Sequence, residues 1–217
     1  MRNSLKSKSL SLWIIAALVI VVVIGLIVWR LSIPTPTPIK REVTAQVKLV
    51  IGEPFAQMVK DSTPGVIDPT TPYTSAYKYT KEDARLVFTD PQYGFKTPPS
   101  SMKYFTIWYD AGVIDIVEFY PQLEPLSLDD ALNVIFDLQN QWRKGKWTLT
   151  RPGDSPAYED TPAEKAQARK NGSPTTYWSA GDKYQIMLFL QRVKDPTPGQ
   201  ERYVINMSIA KPWTLKE

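Results

Sequence analysis

No histidine and no cysteine occur anywhere in the 217 residues. Without imidazole, the usual serine–histidine–acid and cysteine–histidine nucleophile systems, histidine metal sites and histidine acid–base chemistry are all closed to this chain. Without thiol there is no disulfide framework, no thiolate nucleophile and no thiolate metal site. An enzyme built from this sequence would have to work with carboxylate, lysine or tyrosine groups. A glycine-rich phosphate cradle, EF-hand spacing and a dinucleotide fingerprint are missing as well, so no cofactor and no metal are expected. Lack of disulfides in a domain of this size also fits a bacterial envelope protein better than a eukaryotic extracellular one.

A surplus of one charge sign is also lacking once the chain is divided. The formal charge is +4, from 26 basic and 22 acidic residues. Arg2, Lys6, Lys8 and Arg30 lie at the amino-terminal end, and every acidic residue lies after position 40, so the remainder is balanced. Nothing here signals a phosphate-tracking surface, and nucleic acid is not an expected partner.

What is present is an unbroken apolar run. Leu12 to Trp29 are eighteen uncharged residues, flanked by Arg2, Lys6 and Lys8 before and Arg30 after. At roughly 1.5 Å per helical residue the run covers about 27 Å, close to the hydrocarbon thickness of a bilayer. Trp13 and Trp29 stand at its two ends, where aromatic belts lie, and Arg30 follows as an interfacial charge. A cleaved signal peptide needs a shorter apolar region and a small-x-small site, and the only alanine pair, Ala16-Ala17, is buried inside the run. The expected organisation is a cytoplasmic tail (1–11), a single transmembrane anchor (12–31), a spacer (32–42) and an exported domain (43–217). Flanking basic residues nearly balance. The compact, acid-free amino-terminal tail tips the orientation towards a cytoplasmic amino terminus and a periplasmic domain at the bacterial inner membrane. The spacer alternates proline with threonine from Ile33 to Ile39, which favours stiff polyproline II.

Within the exported part, residues 43–100 read as a loop-rich lead-in with one early strand over Val43–Ile51, and 101–217 as the better-defined core. Tyr104–Tyr109 and Val113–Tyr120 are aromatic and β-branched runs separated by Asp110-Ala111-Gly112, which predicts a hairpin. Ser127 is positioned as an N-cap for a helix to about Lys144, with Leu128, Ala131, Leu132, Ile135, Leu138 and Trp142 on one stripe and Gly145 as its stop. Thr161-Pro162-Ala163-Glu164 starts a short surface helix. Thr175–Ser179, Lys183–Val193 and Arg202–Ala210 form a meander whose middle strand carries apolar residues on both faces, as a central strand would. The expected fold class is α+β: one mainly antiparallel sheet packed by one major helix.

Candidate chemistry is thin. Ser75–Lys78 and Ser100–Lys103 both match the serine-x-x-lysine spacing, but neither is accompanied by the partner motifs of that machinery. The acid pairs Asp129-Asp130 and Glu159-Asp160 each precede or open a helix, where capping and the helix dipole account for them. The sequons at Asn171 and Asn206 read as chance matches. The expected activity is therefore non-catalytic binding of a protein partner. Anchor, spacer and a neutral domain are similar in layout to membrane-anchored immunity proteins, which implies a toxin acting in the periplasm or membrane as partner. An accessory subunit of an envelope secretion, division or pilus-like machine shares that layout, and an envelope enzyme or ligand sensor is the remaining class. Partner contacts are expected at Tyr73, Tyr77 and Tyr79, in the loop holding Asp195 and Thr197, and on the exposed side of the Thr161 helix.

Overall fold

The computed structural model describes residues 43–67, 76–77, 82–101, 104–171, 173–194 and 200–213. The apolar run, with Trp13, Trp29 and Arg30, lies outside these residues. Among the described residues no helix is long and apolar enough to cross a membrane.

The fold is mixed α+β. Ten strands, β1 (Gln46–Leu49), β2 (Ala76–Tyr77), β3 (Ala84–Phe88), β4 (Phe95–Ser100), β5 (Phe105–Asp110), β6 (Val113–Phe119), β7 (Thr148–Leu149), β8 (Thr176–Ala180), β9 (Tyr184–Lys194) and β10 (Glu201–Ala210), make two sheets among the described residues. Three helices, α1 (Phe55–Asp61), α2 (Leu128–Lys144) and α3 (Pro162–Asn171), accompany them. The larger sheet has seven strands in the order β2-β5-β6-β10-β9-β8-β7, and every pairing in it is antiparallel. The smaller has the order β1-β3-β4, with β1 parallel to β3.

Two expectations need correction. Residues 43–100 are not a loop-rich lead-in where described: they build α1 and the entire smaller sheet, and Val47, Leu49, Leu86 and Phe88 belong to the same buried core as α2. There are accordingly two sheets rather than one. Pro98 and Pro99 sit in β4, an edge strand, where a missing N–H costs no ladder bond.

The hairpin forms as read. Ala111 and Gly112 both take positive φ (48° and 81°), giving the two-residue turn whose twist matches the strands. Ser127 caps α2 through Oγ, which accepts from the Asp130 N–H at 3.2 Å, and Leu128, Ala131, Leu132, Ile135, Leu138 and Trp142 are all buried. Gly145 ends α2 differently from a left-handed cap: its φ is −78°, and Lys146 takes the positive φ instead. A Cβ there would sit 3.3 Å from the Trp147 ring, a tight contact that glycine avoids.

Helix α2 packs on β10 of the larger sheet and β4 of the smaller. Phe88, Phe95, Trp142, Trp147, Trp178 and Tyr184 continue this core as an aromatic chain with ring centroids 5.1–6.4 Å apart. Three glutamine amides act as inserted peptide groups. Gln141 donates to the Lys96 carbonyl and accepts from its N–H, both at 3.0 Å. Buried Gln139 does the same for Tyr158. Gln122 accepts from Ile205 N–H and donates to the Tyr203 carbonyl, extending the ladder of β10 beyond the end of β6. Each supplies hydrogen bonds to backbone groups at or beyond the margin of a sheet, and the Tyr203 carbonyl accepts from Leu126 N–H as well.

Candidate functional site: the open sheet face

Alternation along the strands sorts the larger sheet into two faces. Phe105 and Ile107 of β5, Val117 and Phe119 of β6, Ile205, Met207 and Ile209 of β10 and Ile186, Leu188 and Leu190 of β9 point to the helix-covered core and are buried. The residues between them form the opposite face, and strand register arranges these in three rows running across the strands.

The middle row is Thr106, Glu118, Ser208 and Met187, followed by Tyr177. On one side lie Tyr104, Tyr120, Asn206 and Phe189: Tyr120 N–H donates to the Tyr104 carbonyl at 3.2 Å, and Asn206 pairs with Phe189. On the other side lie Trp108, Ile116, Ala210 and Gln185. Short side chains in the middle row between bulkier neighbours leave a trench, a cavity of about 410 Å³ lined by Tyr104, Thr106, Glu118, Tyr120, Met187, Phe189, Asn206 and Ser208 together with Phe119 and Met207. That volume falls within the roughly 300–1,000 Å³ typical of ligand sites. From β5 to β9 the trench crosses three strand spacings, roughly 14 Å.

The trench has distinctive chemistry. Tyr104 is 49 % exposed and stacks on Tyr120, with ring centroids 4.5 Å apart and planes 17° from parallel. Trp108 is 36 % exposed, and its indole N–H donates to Glu118 Oε2 at 3.0 Å. Among the described residues, Glu118 is the only charged one lining the cavity. Asn206 Nδ2 is buried and has no hydrogen-bond partner. Beyond the Gln185 end, residues 211–213 turn back over the face: Trp213 N–H donates to Gln185 Oε1 at 3.3 Å, and Lys211 lies 3.9 Å from Asp115.

The other candidates are structural. Asp129 and Asp160, one from each predicted acid pair, converge on Lys165, whose Nζ is 2.8 Å from both. The hydrogen bond to Lys165 and the lysine's charge hold the Asp129 carboxyl below its usual range. This cluster ties the start of α2 to α3, and among the described residues no group of three or more potential ligands could hold a metal. Ser100 is buried on β4 with its Oγ unpartnered, while Ser75, Lys78 and Lys103 lie outside the described residues. Asp90 accepts from Gln92 N–H, Tyr93 N–H and Tyr184 O–H at 2.8–3.0 Å. Burial opposes its charge, but those three bonds and the Lys183 charge together hold its carboxyl below the usual range. Burial, with the bond to Asp90 and the carboxylate charge, pushes the Tyr184 hydroxyl up to about 12. Buried Tyr158 likewise has its hydroxyl pKa raised, chiefly by desolvation.

Of the predicted contact residues, Tyr73, Tyr79, Asp195 and Thr197 lie outside the described residues. Tyr77 belongs to β2, whose backbone pairs with Ile107 and Trp108 on β5, at the edge of the sheet that carries the trench. Residues 195–199 join β9 to β10, both of which line it. Tyr104, Trp108, Glu118, Tyr120 and Asn206 were not singled out from sequence as contacts. Their only signal was alternation in the hairpin and in β10, and alternation does not tell which face a helix will cover.

No family model, no curated protein and no solved structure matches this chain.

Proposed function

We propose that this chain is a non-catalytic recognition module, tethered to the bacterial inner membrane through Leu12–Trp29, that binds a protein partner with the open face of its seven-stranded sheet. The observation that carries the reading is the trench itself, lined among the described residues by an exposed Tyr, a Met, an Asn and one carboxylate, with the exposed Trp108 beside it on the same sheet face. Aromatic residues and methionine are enriched in protein interfaces, and charged residues are depleted from their centres. A sequence without histidine or cysteine adds to the case against catalysis, and the single carboxylate that lines the cavity among the described residues does not make an acid–base pair. In its concrete form the module neutralises an incoming toxin, a task that asks for a preformed surface and no chemistry.

Photo-crosslinking residues placed in the full chain test this. Gln191 is exposed at the margin of the open face, and Gln167 is exposed on α3. The expected result is one near-stoichiometric protein captured from native membranes at Gln191 and none at Gln167. Capture at Gln167 alone would move the contact to α3, and capture at neither would overturn the reading.

A further inference from the structure

We infer that the trench receives a cationic side chain of a polypeptide partner, arginine above all, with its charge seated on Glu118 between Tyr104 and Trp108. This deepens the reading of the open face as the partner-binding surface and rests on it. Among the described residues Glu118 is the one charge lining the cavity, and a carboxylate there favours cations over phosphates and other anions. Its Oε2 already accepts from Trp108, and Glu118 Oε1 remains open. Thr106 and Ser208, its short neighbours in the row, leave room on both sides.

Tyr104 and Trp108 flank Thr106 along β5 on this face, placing one exposed ring on each diagonal from Glu118. Trp108 turns its N–H edge to Glu118, which leaves the exposed Tyr104 ring as the aromatic surface beside a guanidinium forked onto the carboxylate. The aliphatic stem of that arginine would lie along Ser208 towards Met187.

On a face that binds protein, the cation is a side chain of a polypeptide rather than a free amine. A wholly apolar segment would take Glu118 out of water with only the Trp108 N–H as its partner, which a charged group resists.

The test uses the partner captured at Gln191 by the full chain. Capture at low salt is expected to fall at least tenfold in Glu118→Gln and to vanish in Glu118→Arg. Reversing the crosslinked arginine of the partner to glutamate is expected to restore capture by Glu118→Arg. A blocked Gly-Arg-Gly tripeptide at high concentration should compete, and its citrulline counterpart should not. Capture that ignores Glu118→Gln, or a crosslinked segment holding neither arginine nor lysine, would overturn this inference and leave the interaction reading standing. Absence of capture by the unaltered chain would sink both.

Discussion

The two faces of the seven-stranded sheet are made by the same strands and both carry aromatic residues, yet among the described residues only one of them is closed by a helix. On the inner face α2 lays Leu128, Leu132, Ile135, Leu138 and Trp142 against the sheet, and these residues are at most 5 % exposed. On the outer face Tyr104 and Trp108 stand in solvent beside an unpaired amide. Composition is therefore a poor guide to what a sheet face does. Among the described residues, closure follows from where the one long amphipathic helix lands, and the face it leaves free keeps aromatic residues exposed.

If that division is right, substitutions on the two faces should fail in different ways. The largest stability loss is expected inside: Trp142→Ala empties a fully buried site beside Phe95 and Trp178 and should cost about 3–5 kcal/mol in urea unfolding. Gln139→Leu keeps the volume but strips Tyr158 N–H and carbonyl of their partner in a buried position, with an expected loss of about 1–3 kcal/mol. Asp90→Asn should cost less and should be recognisable by its pH dependence. Because the folded Asp90 carboxyl titrates below its unfolded value of about 3.9, its contribution is complete above that pH and fades as pH falls through the folded value. The gap in urea midpoint between the unaltered chain and Asp90→Asn should thus be open at pH 7 and close in strong acid. Smallest of all should be the outer face, where Tyr104→Ala and Glu118→Gln are each expected to shift stability by no more than about 1 kcal/mol while removing partner capture.

Local signals made the second half of the chain legible. The Asp110-Ala111-Gly112 turn, the Ser127 cap and the stripe from Leu128 to Trp142 each state their structure within a few residues, because propensity, capping and periodicity agree there. The smaller sheet was hidden for the opposite reason. β1 reaches β3 by a parallel pairing about forty residues away, and prolines in β4 mimic a loop. The glutamine clamps were invisible too: Gln122, Gln139 and Gln141 read as ordinary polar residues until the backbone groups they satisfy are brought beside them. The trench was half legible. Thr106, Glu118 and Ser208 sit at alternate positions in runs that read plainly as strands, but their meeting in one row depends on the order β5-β6-β10-β9, which no local pattern encodes.

The most direct test of the account is a paired measurement on the full chain carrying Tyr104→Ala and Glu118→Gln together: the urea unfolding midpoint, and the amount of partner crosslinked at Gln191. The account predicts a midpoint close to that of the unaltered chain with capture reduced to background. Capture that persists in this folded variant, or capture that disappears only because the domain has unfolded, would contradict the division between a closed face that holds the fold and an open face that binds.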